Sequence, residues 1–200
     1  MQRMTKLTEY NLTNEEQQRF DGNMLGDSSI IYKNSKASNP RYLHYSKHKE
    51  YLLWLSNVTT YFQNRPIWNK FQFDKRTNKT YYSYYMGTKS SELFKQQRQR
   101  WYPGGKKIVP SDLKIDNLLL LHWFLDDGSK ASQGGIYFAV DGFSFEEAES
   151  LSSKVNSYTN VKTSVHVNQG NPRVYIWKRD VKDFYNIIGA CPVSSFNYKW

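Results

Sequence analysis

The chain has 200 residues, 38% of them hydrophobic, and carries a formal net charge of +10 with a pI of about 9.5. That length gives room for a buried core, as one large domain or two small ones, and a basic excess spread along the chain points to a polyanionic partner. The longest apolar run, 118–121, is broken by His122 and resumes only at 123–125, which excludes a transmembrane helix.

A membrane-surface protein gathers its Lys and Arg on one face of an amphipathic helix, whereas here they sit among Tyr, Trp and Phe in strand-like runs. The first twelve residues lack the apolar core of a signal peptide. Cys191 is the only cysteine, so no internal disulfide can form, and both features predict a reducing, intracellular setting. Cys191 itself, near the end of an apolar helix, reads as a small core residue.

Thr13 stands three residues before Glu16 and Ser144 three before Glu147, the spacing of a capping box, so each opens a helix. Residues 28–33 and 41–47 are predicted to form a hairpin across the polar stretch 34–40. Residues 49–62 place Leu52, Leu55, Val58, Thr59 and Phe62 at helical spacing. A second, aromatic hairpin is predicted over 68–75 and 80–86, with Tyr81, Tyr82, Tyr84 and Tyr85 divided by alternation between core and outer face. Residues 90–102 read as a polar helix stopped by Pro103, Gly104 and Gly105.

The same order recurs after Pro110. A helix over 115–126 precedes a strand pair of which only 135–140 is distinct, then a helix over 145–158, a hairpin over 161–167 and 173–178, and a helix over 180–188. One α-β-β-α-β-β-α unit is used twice. The expected division is 1–102 and 111–200, joined by a linker over 103–110. Asp27 and Asp127 fall at equivalent points, each at the end of its half's first helix and 100 residues apart.

The helix ending in Asp126 and Asp127 is apolar nearly all round, so it should be buried. Carboxylates at a helix C-terminus oppose the macrodipole at a cost of about 0.3–1 kcal/mol each. A bound divalent cation would offset that, and oxygen-only ligands suit Mg²⁺. The alternative is an ordinary turn over Asp126, Asp127, Gly128 and Ser129. The counterpart at Gly26, Asp27 and Ser28 favours the metal reading.

Phe20-Asp-Gly-Asn-Met-Leu-Gly-Asp27-Ser28 and Leu120-Leu-His-Trp-Phe-Leu-Asp-Asp127-Gly128 resemble the paired nine-residue motifs of the LAGLIDADG homing endonucleases. The stretch from Leu121 to Ser129 is similar to the form seen in intron-encoded members from fungal mitochondria. Further matches at 105–110, 143–151 and 196–199 extend the resemblance from about Asn14 to Trp200.

The resemblance implies an α+β protein with two pseudo-symmetric halves, whose antiparallel sheets form a DNA-binding saddle and whose motif helices pack at the central interface. It implies metal binding by Asp27, Asp127, Gly26 and Asp126, with Asp27 and Asp127 catalytic, and it places Lys107 and Lys199 beside them as basic residues that polarise water or steady the transition state. Mg²⁺ is the implied cofactor, with Mn²⁺ or Ca²⁺ able to replace it in binding. Asp21, Leu121 and His122 depart from the usual motif. Gly22 and Gly26 keep close helix packing possible, His122 reads as a hydrogen-bonded interface residue, and Asp21 has no evident role beyond the edge of that interface.

Sheets can enter the major groove as helices do. The candidate DNA contacts are Lys33, Lys36, Arg41, His44 and Lys70 in the first half and Lys130, Lys162, Arg173 and Lys178 in the second, with Arg41 and Arg173 best suited to guanine. The expected partner is a double-stranded DNA site of roughly two helical turns bound by a monomer, without a membrane role. The expected reaction is Mg²⁺-dependent hydrolysis leaving staggered ends, in the service of intron mobility, in an organelle or in a phage or bacterial cytoplasm. An RNA-binding intron maturase is the alternative, with intron RNA as partner, and a non-catalytic DNA-binding regulator ranks last because both carboxylates are present.

Overall fold

The computed structural model describes residues 11–200; the first ten, most of the stretch expected to lack a signal peptide, lie outside the described residues. In the first half α1 (Asn14–Leu25) leads to β1 (Ser28–Ile31), β2 (Arg41–Ser46), α2 (Lys49–Val58), β3 (Ile67–Asp74), β4 (Lys79–Gly87) and α3 (Glu92–Trp101). In the second, α4 (Asn117–Asp127) leads to β5 (Gly128–Lys130), β6 (Ile136–Ala139), α5 (Phe145–Thr159), β7 (Thr163–Asn168), β8 (Asn171–Ile176) and α6 (Val181–Ile188). The two antiparallel sheets have the same strand order, β1-β2-β4-β3 and β5-β6-β8-β7. This is the doubled α-β-β-α-β-β-α unit expected from the sequence.

Both expected capping boxes form. Thr13 and Ser144 accept from the amides of Glu16 and Glu147, whose carboxylates accept from the cap amides in return. Glu16 also accepts from the amide of Thr60 at 3.2 Å, anchoring α1 to the turn that follows α2. The helix expected over 49–62 stops at Val58. There Thr59 is extended, its hydroxyl donates to Leu55 at 2.7 Å, and a 3-10 turn, Thr60–Phe62, follows. The indistinct strand is β5, three residues with no alternation of their own, held by their register with β6.

Helix-facing side chains of the sheets, Ile30, Tyr42, Met86, Ile136, Phe138, Val174 and Ile176, are buried in one core with Phe20, Met24, Trp123, Phe124 and Phe184. Cys191 lies three residues past the end of α6, half-buried against that core.

The tyrosine expectation needs correction. Tyr84 packs on the core and Tyr85 stacks on Tyr45, but Tyr81 and Tyr82 are 44% and 64% exposed and neither reaches the core. The reason lies in register: β2 pairs only with Tyr84–Gly87 of β4, so the rest of the β3–β4 ribbon has no third strand beside it.

Candidate active site

The site is built where α1 and α4 touch. A Cβ on Gly22 would lie 2.5 Å from the carbonyl oxygen of Leu119 and 2.8 Å from Cβ of His122; one on Gly26 would lie 2.3 Å from Cβ of Asp126. Positions 22 and 122, and 26 and 126, are equivalent in the two motifs and meet across the axis that relates the halves. Only one member of each pair can carry a side chain, and α1 supplies the glycine both times. His122 is buried, its Nδ1 3.1 Å from Oδ1 of Asn23, and burial holds its pKa well below the usual value.

Asp127 is the last residue of α4, and Asp27 follows Gly26, the C-cap of α1. Burial pushes Asp127 up to about 7, and the charge of Asp27 adds to the effect, while Lys107 and Lys199 oppose it. Asp27 is raised as well, chiefly by desolvation, against Lys199, Lys107 and Lys47. Solvent reaches Asp27 and offsets part of this, so Asp127 is the carboxylate that holds a proton nearer neutrality.

Each carboxylate has a lysine at the end of its helix. Lys107 donates to the carbonyls of Gly26 at 3.2 Å and Ser28 at 3.0 Å. Lys199, 5% exposed, donates to those of Phe124, Leu125 and Asp126 at 3.1, 2.5 and 3.2 Å. A cation there complements the negative end of the helix dipole and meets carbonyls exposed at the helix C-terminus. Burial pulls Lys107 down to about 8 against the attraction of Asp127, Asp126 and Asp27, and lowers Lys199 in the same way.

Two expectations are corrected. Asp126 was expected among the metal ligands, but its carboxylate is fully buried and turned into the helix interface. It accepts from the Tyr51 hydroxyl at 2.8 Å, Asn23 Nδ2 at 3.1 Å and the Asp27 amide at 3.3 Å. What Gly26 and Asp126 have in common is a main-chain carbonyl bound by a lysine. His44 was expected to contact DNA, but it is 0% exposed, with Nδ1 2.6 Å from Ser28 Oγ and Nε2 3.5 Å from Asp126. Arg41 and His44 are three residues apart on one strand, so alternation sends them to opposite faces.

Asp21 acquires a role that its motif position does not reveal. Arg100 binds both its oxygens, Trp101 Nε1 donates to it at 3.2 Å and Gln17 at 2.9 Å. Asn23 and Tyr51 were missed by sequence reasoning. A polar Asn inside a buried motif helix was a usable signal; nothing in α2 marks Tyr51.

The outer faces of the sheets carry Arg41 and Tyr45 on β2, Lys70 on β3, and Arg173 and Tyr175 on β8. Lys70 lies over the Tyr45 ring at 5.0 Å, and Arg173 pairs with Asp141 at 3.5 Å. Lys33 and Lys36 are exposed in the β1–β2 connection, and Lys178 in the 3-10 turn after β8, rather than on strands. Lys130 ends β5 and donates to the carbonyl of Trp200, and Lys162 lies over Trp177 at 4.7 Å just before β7. The register also gathers Tyr137, His166 and Tyr175 on the outer face of the second sheet, with His166 stacked on Tyr175 at 4.5 Å.

Among the described residues no three His, Cys, Asp or Glu side chains converge on one point. Asp27 lies near enough for its charge to raise the Asp127 carboxyl, and Mg²⁺ suits such a sparse set of hard oxygens because it retains waters and takes further oxygens from a bound phosphate. The donor chemistry therefore fits a divalent cation.

A sequence model described as the LAGLIDADG DNA endonuclease family matches residues 18–184. The chain is 29% identical over 157 residues to cytochrome b mRNA maturase bI2 of Debaryomyces hansenii, covering 72% of this chain and 57% of the relative. It is 30% identical over 103 residues to probable intron-encoded endonuclease 1 of Wickerhamomyces canadensis, covering 47% and 45%. The chain thus spans about half the length of the curated relatives it matches. Among solved structures, the homing endonuclease I-WcaI bound to its DNA recognition sequence superposes with a TM-score of 0.85 at 23% identity, covering 96% of this chain and 88% of the other. I-DmoI in complex with DNA and Mn gives 0.55 at 14%, covering 88% and 98%.

Proposed function

This chain belongs to the LAGLIDADG DNA endonuclease family, and from that premise we propose that it is a site-specific endonuclease that hydrolyses one phosphodiester in each strand of a DNA duplex. The observation that carries this reading is the pairing of Asp27 and Asp127 at the ends of two packed helices, each beside a lysine held by main-chain carbonyls. Asp27 and Asp127 hold divalent metal through their carboxylates. When bound, Mg²⁺ supplies Lewis-acid stabilisation of the phosphate and lowers the pKa of water.

The chain's own residues do the rest. The carboxylates hold negative charge where cations and phosphate meet, and the α1–α4 contact sets their spacing. Lys107, with its pKa pulled down to about 8, can hold or release a proton at Nζ near neutral pH, and Lys199, lowered by burial in the same direction, stands at the second position. One carboxylate from each half gives one cut in each strand, leaving staggered ends. Residues 1–102 and 111–200 each serve one half-site, with 103–110 as the linker, so a monomer suffices. The outer faces, with Arg41, Lys70 and Arg173, lie in the major groove; Lys33, Lys36, Lys130, Lys162 and Lys178 meet phosphates. Intron mobility in an organelle is the setting we infer, in line with the intron-encoded relative.

A second reading, an RNA-binding maturase, is favoured by the likeness to an mRNA maturase. RNA binding alone would not require the two acid-lysine pairs. Incubation of a randomised duplex library with protein and Mg²⁺ tests the choice: a discrete cut sequence supports the nuclease, whereas absence of cutting with tight binding to structured intron RNA supports the maturase.

A further inference from the structure

Asp126 belongs to the second half, yet the donors that bind its carboxylate, Asn23, Tyr51 and the amide of Asp27, all belong to the first. A buried carboxylate without partners costs several kcal/mol, so these three donors are what make its position tolerable. Its helix is otherwise almost wholly apolar, and an apolar side chain would fill the place without that cost. A buried polar group at such a contact acts best by fixing register.

What it fixes follows from where the two helices end. Asp127 is the last residue of α4, so its amide lies within the helical ladder. Helix α1 stops at Leu25, and Gly26, with φ −104° and ψ −131°, turns the chain out of the helix before Asp27. The Asp27 amide therefore has no helical carbonyl to meet and takes Asp126 Oδ2 instead, at 3.3 Å. No reciprocal contact exists, because the residue facing Asp126 is Gly26, where even a Cβ would collide.

We propose that Asp126 is a positioning residue that holds Asp27 in place from the opposite half, making the two carboxylate sites unequal. The effect on cleavage rests on the endonuclease reading above; the contact itself does not. Amide hydrogen exchange of the metal-free protein reads the contact directly. Asp126→Ala is expected to speed exchange at Asp27 by about tenfold, the loss of one hydrogen bond, while Gly128, bonded to Phe124 within its own half, is unchanged. Asp126→Asn, whose amide oxygen still accepts, is expected to fall between. Tyr51→Phe removes the 2.8 Å bond to Asp126 together with the one the hydroxyl accepts from Asn23 at 3.0 Å, leaves the Asp27 contact itself in place, and gives a smaller change in the same direction should the alanine variant not fold.

On duplex labelled separately on each strand, Asp126→Ala is expected to slow one strand at least about tenfold more than the other and to accumulate nicked DNA. Unchanged exchange at Asp27 in folded variants, or equal slowing of both strands, overturns the proposal. A wild-type protein that cuts no duplex removes the endonuclease reading, and the exchange result still decides the contact.

Discussion

Asp21 and Arg100 form a two-pronged ion pair, Nη1 to Oδ1 at 2.6 Å and Nη2 to Oδ2 at 3.0 Å, that ties the first motif helix to the helix closing its half. Asp21 is 2% exposed, and Arg100 also binds Asp112 at 2.9 and 3.0 Å, so one guanidinium joins α1, α3 and the segment leading to α4. Burial raises the Asp21 carboxyl while Arg100 opposes it.

Replacing only Arg100 leaves that carboxylate unpaired. Arg100→Met is expected to lower unfolding stability by about 3 kcal/mol, and Asp21→Leu with Arg100→Met to recover most of it, since an apolar pair of similar volume is often neutral. Chemical denaturation of both variants checks this. Equal losses in the single and double variants would show that the pair has no such linked role.

Asp27→Asn and Asp127→Asn keep the shape of the site and remove its charge. Each is expected to cut duplex at least about a thousandfold more slowly, the several kcal/mol that metal-based stabilisation supplies. Affinity for duplex in Ca²⁺ should stay within a few-fold. A variant that cuts normally would remove its aspartate from the site.

The raised Asp127 carboxyl makes stability depend on pH in a stated direction. Its ordinary value is 3.8 and its folded value about 7, so between these the folded chain binds the extra proton, and stability falls as pH rises through that window. Asp127→Asn escapes the effect. Without metal its melting temperature should match wild type near pH 4, exceed it above pH 7, and lose that advantage when Ca²⁺ is added. A constant difference across this range would contradict the buried, like-charged site.

Lysines beside a metal site repel the metal while serving the reaction. Lys107→Met is therefore expected to bind Ca²⁺ more tightly than wild type by calorimetry, yet to cut about a hundredfold more slowly, the upper range for one proton-transferring group being about ten-thousandfold. Weaker binding of Ca²⁺ would make Lys107 a support for the α1 terminus through Gly26 and Ser28 and nothing more.

Outer-face arginine and edge lysine should differ in kind. Arg173→Ala is expected to relax base preference at one target position by about 1–3 kcal/mol. Lys162→Ala should weaken binding to all sequences alike and reduce the salt slope by about one. Competition binding against single-base target variants at several salt concentrations separates them; an unaltered base preference in Arg173→Ala would exclude it from readout.

Much of the architecture was legible in the residues. Thr13 with Glu16 and Ser144 with Glu147 announce their helices because a capping box lies within four residues of chain. The paired motifs placed Asp27 and Asp127 at matching helix ends because the repeat itself carries the register. Gly22 and Gly26 signalled close packing because only glycine leaves that room.

Tertiary structure alone decided what those patterns leave open. It assigned Arg100 to Asp21, 79 residues away, and Tyr51 to Asp126, 75 residues away. It turned His44 inward and Arg41 outward: alternation puts the two on opposite faces, and the packing of neighbouring elements decides which of those faces meets the core. It turned Asp126 away from its neighbour Asp127, since the space left by Gly26 and the donors of Asn23 and Tyr51 lie on another segment of the chain. Periodicity and caps are set by neighbours in sequence, whereas the partners of a buried charge are set by packing that brings distant segments together.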